Sequence, residues 1–451
     1  MKEEKKENMR KRTTLLCLIL IQISCFAQTT MSLRECMEYA LNNSTKMRIQ
    51  EADRDDEQLA RRESILKAFT PSVDAGAYAY NNYGRTIDPE TNTYINTTSF
   101  NNGYSISAAL TLFNGFKAIN NMRISKMMVN MGLSKQEIEE NEICLTTMQA
   151  FFNTIYYQQL TDIITEQVQT LEETLTLTKR QEELAQKSHS DVVQIEADLA
   201  EKQYSLINTK NRYEESLITL KDIMFYPIEE ELILEHSNHL DEKSELTAAD
   251  IVDYAKEWNP RTKVARGKMK NAMVELKTAR WQIAPRLSLY GGWSTSYYNY
   301  PGNNTVSTPS FKNQFNNNMG EYIQLSLAIP IYNQLYSITN IRRKKNEYSR
   351  ATAEYEQSQK EIENEVYRAV NERDGAKAAL QQAETFANTQ KESFNLNKKK
   401  FEQGIISSIE YQTASGKYLE AMASKLNAEL QYLIKCAIVR YYNGESYINQ
   451  F

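Results

Sequence analysis

The feature that most constrains the fold is an internal repeat, because the second half of the sequence follows the first at a nearly constant offset. Pro71 returns as Pro285, 214 residues later, and Arg123 returns as Arg342, 219 residues later. Each half reads as two helices, two strands and two long helices. The sequence therefore predicts one helix–strand unit built twice. The matched positions are Tyr39 and Tyr254, Pro71 and Pro285, Asn114 and Asn333, Arg123 and Arg342, and Ser190 and Ser407.

Long helices are predicted after the strands of each half. No proline lies between Pro89 and Pro227, and Gly132 is the only glycine between Gly115 and Pro227. Apolar residues there recur at the three- and four-residue spacing of bundles and coiled coils. An unbroken helix over residues 117–186 would be about 100 Å long. Short breaks at residues 186–191 and 401–408, where serines can cap the next helix, predict antiparallel helical hairpins with tight tips.

Four stretches of about ten residues alternate apolar side chains with small or polar ones, as transmembrane β-strands do. They lie at about residues 73–83, 103–113, 286–297 and 321–330. Four strands cannot close around a channel, and open sheet edges cannot face lipid. We therefore predict that several copies of the chain contribute strands to one shared barrel.

Aromatic residues gather where these strands meet polar loops, predicted at residues 81–102 and 299–318. Aromatic girdles occur at membrane interfaces because such side chains suit a surface that is apolar on one side and wet on the other. Two soluble β-hairpins with ordinary cross-strand tyrosine pairs are the alternative interpretation. The predicted girdle consists of Tyr78, Tyr80, Tyr104, Tyr290, Trp293 and Tyr322.

The first 27 residues have the pattern of a secretory signal peptide. Lys11 and Arg12 precede an apolar run at residues 15–23, and a small residue, Ala27, ends the segment. The run is too short to anchor the chain in a membrane. Cys25 leaves lipid attachment open as an alternative.

Composition excludes several classes of protein. A mean hydropathy of −0.60 excludes a polytopic helical membrane protein. A net charge of −5 excludes a strongly basic protein, so no nucleic-acid partner is expected. The scattered Cys36, Cys144 and Cys436 are predicted to be buried thiols.

No catalytic or metal-binding pattern is present in the sequence. The three histidines, His189, His236 and His239, lack the further His or Cys ligands of a metal site. The chain has neither a phosphate-binding glycine-rich loop nor a Gly-x-Ser-x-Gly elbow. We therefore expect no enzyme activity, no metal and no cofactor.

Together these features resemble the outer membrane efflux protein family, the TolC-like channels. The motifs that carry the resemblance are Leu110–Gly115, Ala328–Asn333 and Phe401–Ile409, and the doubled order of elements covers residues 32–442. The resemblance implies a homotrimer in the outer membrane of a Gram-negative bacterium. Four strands per subunit would close a shared transmembrane β-barrel, and the long helices would form an α-helical barrel in the periplasm. The implied partners are outer membrane lipid, a periplasmic adaptor (membrane fusion protein) and a proton-driven or ATP-driven inner membrane pump.

The resemblance also implies sites at the helical tips. In the best-studied kind of member, two acidic residues after the tip glycine line the closed periplasmic aperture. Glu410 stands at the first position, Thr413 at the second, and Ile406 where a basic residue can form a gate link. Because two of these positions depart from that pattern, block by cations should be weaker here. The implied adaptor contacts are Lys187, Ser188, Ser190, Asp191, Gly404, Ser407 and Ser408.

The sequence thus predicts a passive trimeric exit duct for a tripartite efflux pump or a type I secretion system, opened by an adaptor. The alternative is a secreted periplasmic coiled-coil structural or adhesion protein without a membrane barrel. The predicted segments are a signal peptide at 1–27, a first repeat at 28–228 with long helices over 117–225, a linker at 229–247, and a second repeat at 248–451 with long helices over 334–440.

Overall fold

The computed structural model describes residues 30–88, 91–235, 246–302 and 308–451. The predicted signal peptide with Cys25, together with His236 and His239, lies outside the described residues. In chain order the elements are β1 (Thr30–Met31), α1 (Leu33–Asn43), α2 (Thr45–Phe69), β2 (Ser72–Ile87), β3 (Tyr94–Asn114), α3 (Lys117–Glu183), α4 (His189–Met224), β4 (Ile233–Leu234), α5 (Ala248–Trp258), α6 (Pro260–Arg280), β5 (Arg286–Asn299), α7 (Phe311–Asn317), β6 (Gly320–Ala328), α8 (Tyr336–Glu402) and α9 (Ser408–Tyr442).

The repeat is visible in the order of the elements. Helices α1 and α2, strands β2 and β3, and helices α3 and α4 are followed in the second half by α5, α6, β5, β6, α8 and α9. The long helices α3 and α8 have the same length, 67 residues. The predicted tandem fold of helical hairpins and strand pairs is therefore confirmed.

Local sequence signals explain where the repeated helices begin. Helix α1 starts at a capping box between Ser32 and Glu35, and α5 starts at the same arrangement between Thr247 and Asp250. Such boxes satisfy two backbone donors that a helix start leaves unpaired. None of the described helices combines the length and the apolar composition that a membrane-spanning helix requires.

The chain forms two compact units, and each unit takes segments from both repeats. The first comprises the ranges Met1–Arg48, Glu137–Asn259 and Ile362–Phe451, and the second comprises Ile49–Gln136 and Pro260–Glu361. The long helices therefore contribute to both units.

The first unit has a core in which α1 packs with α3, α4, α9 and the C-terminal segment. Met37, Met148 and Leu220 are completely buried there. The ring of Phe451 lies 6.2 Å from that of Phe152, so the chain terminus is part of this core. The thiols of Cys36 and Cys144 are buried as predicted, and burial raises the pKa of each to about 12, whereas Cys436, also predicted to be buried, is only partly buried.

The second unit contains a four-stranded antiparallel sheet. Its strand order is β2-β3-β5-β6, which places the strands of the first repeat beside those of the second. Strands β2 and β6 are the outer strands, and each leaves one backbone edge without a strand partner within the described chain.

The predicted loop at residues 81–102 is wrong, because most of it is strand. The ladder between β2 and β3 continues to the pair Ile87 and Tyr94, beyond which the N–H of Asp88 donates to the carbonyl of Thr93 at 2.9 Å. Polar composition suggested a loop, but backbone groups supply the ladder hydrogen bonds whatever the side chains are. Arg85 adds a cation–π contact, 4.3 Å from the ring centre of Tyr94. The second predicted loop contains the short helix α7.

We predict that Ile251→Ala lowers the free energy of unfolding by about 2–5 kcal/mol, because Ile251 is completely buried and its removal leaves a cavity. It packs in a cluster with Ile362 and Val366. Chemical denaturation of the detergent-solubilised protein, followed by circular dichroism, measures the change. The matched control Ile228→Ala removes a side chain that is 65% exposed and should have little effect. Equal midpoints for the two variants would contradict the prediction.

Candidate functional site

The two helical hairpins end in the same turn. Helix α3 is closed by Ala185 at φ 58°, and α8 by Gly404 at φ 73°, 219 residues later. The next backbone N–H donates five residues back in both turns: Gln186 to the carbonyl of Gln181 and Ile405 to that of Lys400, each at 2.8 Å. This is a Schellman ending, which favours glycine at the left-handed position.

The following helices also begin alike, with capping boxes. The backbone N–H of Ser188 donates to the Asp191 carboxylate at 3.1 Å, and that of Ser407 donates to the Glu410 carboxylate at 2.9 Å. The true counterpart of Ser407 is therefore Ser188. The sequence match of Ser407 with Ser190 is wrong by two residues, because the cap is recognised by its partner three residues later.

The predicted aperture residues are bound within their own helix. The carboxylate of Glu410 accepts hydrogen bonds from Ser407, and the hydroxyl of Thr413 donates to the carbonyl of Ile409 at 2.8 Å. Ile406 packs against a buried aromatic cluster beneath the tip. Glu410 thus has a structural role in starting α9, and its role at an aperture stays a prediction.

The two hairpins contact each other at their tips, inside the first unit. The hydroxyl of Ser408 donates to the Asp191 carboxylate at 3.3 Å. The ammonium of Lys187 lies 4.1 Å from the ring centre of Phe401. Below them the ring of Phe401 stacks on Tyr411 at 5.0 Å, an aromatic contact that the sequence analysis did not identify.

Two carboxylates near the tips, the partly buried Asp191 and the buried Asp198, differ in their electrostatics. Burial opposes the charge of Asp191, yet the hydrogen bonds from Ser188, with Lys187 and Ser408, lower its pKa overall. This stabilisation is present at neutral pH and is lost as the pH falls through the lowered value. Burial raises the pKa of Asp198, whose carboxylate accepts a hydrogen bond from Gln194 at 3.2 Å.

Apolar side chains are exposed around the tips. Ile405 is 65% exposed and Ile409 is 62% exposed, and Leu184, next to Ala185, is exposed to a similar extent. Exposed aliphatic side chains grouped at one end of a helical hairpin are typical of a surface that another protein covers.

In the second unit, the strand register gives the sheet one apolar face. Residues paired across antiparallel strands point to the same side, so the ladder assigns every side chain to a face. The apolar face carries Val73, Ala75 and Ala77 of β2, Tyr104, Ile106, Ala108 and Leu110 of β3, Leu287, Leu289 and Trp293 of β5, and Ile323, Leu325 and Leu327 of β6, with Glu321 beside Trp293 at one end.

The opposite face carries small and hydroxyl side chains together with tyrosines. The central strands contribute Gly103, Ser105 and Ser107 of β3 and Ser288, Tyr290, Gly292 and Ser294 of β5. The outer strands contribute Gly76, Tyr78 and Tyr80 of β2 and Tyr322, Gln324 and Ser326 of β6.

This register divides the predicted aromatic girdle between the two faces. Tyr104 and Trp293 lie on the apolar face. Four other members lie on the small-residue face, which corrects the predicted grouping: Tyr78, Tyr80, Tyr290 and Tyr322. A two-residue period shows that faces alternate but does not show which aromatic residues share a face across strands.

Two aromatic clusters mark the ends of the apolar face. At one end, Phe315 of α7 lies 5.7 Å from Tyr104 and 5.9 Å from Trp293. At the other end, Phe116 lies 5.4 Å from Phe113 and 5.1 Å from Trp281. A register shift after Thr111 turns Phe113 onto this face.

The spacing of the clusters can be read from the register. Tyr104 pairs with Thr295, and Phe113 pairs with Leu287, eight residues away along β5. Eight residues span about 27 Å along a strand, which is about 20 Å of depth for a strand tilted by about 40°. This is close to the ~25 Å apolar band between the aromatic girdles of outer membrane strands.

Comparison with known proteins agrees with this geometry. The model of the outer membrane efflux protein family matches residues 251–444, in the second repeat. The resemblance to this family is confirmed. Because the family consists of outer membrane efflux channels, the expectation of a non-enzymatic protein is confirmed as well. No curated protein sequence matches the chain.

Solved structures of outer membrane channels share the fold over almost the whole chain. VceC of Vibrio cholerae is 12% identical at a TM-score of 0.74, covering 92% of this chain and 96% of that one. CmeC of Campylobacter jejuni is 16% identical at a TM-score of 0.75, covering 91% and 85%. The open state of MtrE of Neisseria gonorrhoeae is 15% identical at a TM-score of 0.75, covering 92% and 89%. At these identities the likeness shows the fold of an outer membrane efflux channel.

We predict that Ser188→Ala lowers the stability of the first turn of α4 by about 1 kcal/mol, because the variant loses the cap that Asp191 completes. Amide hydrogen exchange over residues 188–192 should become about fivefold faster. Ser190→Ala is the matched control, since Ser190 is exposed two residues further on. Equal effects of the two substitutions would contradict the assignment of Ser188 as the cap.

Proposed function

We propose that the chain is the subunit of a passive outer membrane exit duct. The observation that carries this proposal is the apolar face of the sheet, continuous across four strands and bounded by aromatic clusters. Its side chains have unusually high solvent exposure for aliphatic residues: Ile323 is 86% exposed and Leu325 is 63% exposed. In water such a face would be unfavourable, whereas in lipid it is the expected outer surface.

The sheet edges support assembly from several copies. In lipid, the peptide groups along the outer edges of β2 and β6, which pair with no strand in the described part of the chain, need partners, and another copy of the sheet supplies them without any new fold. A homotrimer would bring together twelve strands, enough to enclose a conduit lined by the small-residue face. The four-stranded sheet then lies in the outer membrane, and the protein extends into the periplasm.

The helical tips are the surface for a periplasmic adaptor in this proposal. The exposed side chains of Leu184, Ile405 and Ile409 offer an apolar contact next to the capped turns. An adaptor bound there would join the duct to an inner membrane pump of a tripartite efflux system or to a type I secretion system. The pump supplies the energy, and the duct performs no chemistry. Glu410 and Thr413 are the aperture candidates.

We predict that Ile106→Arg prevents membrane assembly and that Ser107→Arg does not. The two neighbours lie on opposite faces of β3, and an arginine on the lipid side costs about 2–4 kcal/mol near mid-depth. The measurement is the amount of heat-modifiable trimer in the outer membrane fraction. Equal assembly of both variants would overturn the lipid-facing assignment. A fully soluble, periplasmic wild-type chain would favour the secreted coiled-coil alternative instead.

We predict that Ile409→Asp abolishes adaptor engagement while the trimer still assembles, because a carboxylate replaces an exposed apolar side chain at the tip. In cells that carry this chain as their only such duct, dye efflux should fall towards that of the deletion strain. Ile228→Asp, similarly exposed but far along the chain from the tips, is the control. Normal efflux with Ile409→Asp would show that the tip is not part of the adaptor-docking surface.

A further inference from the structure

A tyrosine lies over a glycine of the neighbouring strand in each repeat. Tyr78 of β2 is directly paired with Gly103 of β3, and Tyr322 of β6 is directly paired with Gly292 of β5. In the first repeat the tyrosine lies on the first strand of the pair, and in the second repeat it lies on the second strand. In both repeats the outer strand of the sheet carries the tyrosine and the inner strand carries the glycine. Two independent occurrences at related positions indicate a shared structural purpose.

The tyrosine rings occupy the space that a side chain on the glycine would need. A Cβ atom on Gly103 would lie 2.5 Å from Cζ of Tyr78, and one on Gly292 would lie 2.6 Å from Cε1 of Tyr322. Such distances are far below van der Waals contact. Each ring therefore leans across the ladder and lies against the backbone of the glycine, which is the use of glycine where another group approaches closely.

Both pairs lie on the small-residue face of the sheet. Their neighbours along the ladder include the small residues Ser105 and Ser294, and two further tyrosines, Tyr80 and Tyr290, lie on the same face. In the proposed duct this face lines the conduit, and the inference rests on that proposal. A ring that stood up from the sheet would project into the conduit.

We propose that the two glycines hold Tyr78 and Tyr322 flat against the conduit wall and thereby set the width of the passage through the membrane. Tyrosine over glycine also stabilises a sheet, since the ring covers backbone that the glycine leaves bare. A role in stability alone would leave the conductance of assembled channels unchanged, so the two roles are separable by experiment.

The test is single-channel conductance of the purified full-length protein in planar lipid bilayers. In the variant Gly103→Ala/Gly292→Ala, the added methyl groups force the rings away from the wall, and conductance should fall. Adding Tyr78→Ala and Tyr322→Ala to that variant removes the rings, and conductance should return to at least the wild-type value. Gly76→Ala is the matched control: it lies on the same face, but its Cβ would meet only Ser105 Oγ at an ordinary 3.5 Å.

The outcomes distinguish this inference from the proposed function on which it rests. Wild-type protein that forms no channels would overturn the proposed function itself. Wild-type channels with unchanged conductance in the double glycine variant would overturn only the inference. If that variant fails to assemble as a heat-modifiable trimer, Tyr78→Ala/Tyr322→Ala, which adds no atom to the wall, decides the question. Higher conductance in that variant supports the proposal that the two tyrosines limit the width of the conduit, and unchanged conductance rejects it.

Discussion

Peptide groups placed in lipid must find hydrogen-bond partners within protein, and the rest of this structure follows from that constraint. Among the described residues, the ladder β2-β3-β5-β6 pairs both edges of the two inner strands and leaves one edge of β2 and one of β6 open. One copy therefore cannot satisfy its own sheet in a membrane. Because the second repeat adds its strands beside those of the first, the repeat doubles the width of the sheet without adding further open edges.

The same repeat builds its helical tips from unlike sequences. Gly404 closes α8 at little cost, whereas Ala185 takes the left-handed conformation at the equivalent position and bears the strain that a Cβ atom causes there. The capping boxes that follow, with Asp191 in one tip and Glu410 in the other, begin α4 and α9 at the same place in the turn. Backbone hydrogen bonding thus preserves the turn where side-chain identity has diverged.

Much of the fold could be predicted from the sequence, because long periodic helices and ten-residue alternating strands are local patterns. The face on which each aromatic residue lies could not, since that depends on pairing between strands far apart in the chain. Tyr78 and Tyr104 show this: both stand in alternating strands, yet the register puts them on opposite faces. The bulge that turns Phe113 onto the apolar face cannot be predicted from a two-residue period either. At the tips, Ser188 was separable from Ser190 only through its partner Asp191.

In the proposed duct, the contacts at the tips also limit how an aperture there can open. Within each turn, the capping box and the helix ending tie neighbouring residues, and breaking them would unravel a helix end. Between the hairpins, Ser408 donates to Asp191, and a buried cluster of Leu171, Ile195, Phe394, Phe401 and Tyr411 joins all four helices. Separating the hairpins would expose this apolar surface to water, which is unfavourable. Motion at the tips should therefore keep the two hairpins together and leave each turn intact, with the Glu410 carboxylate still bound to Ser407.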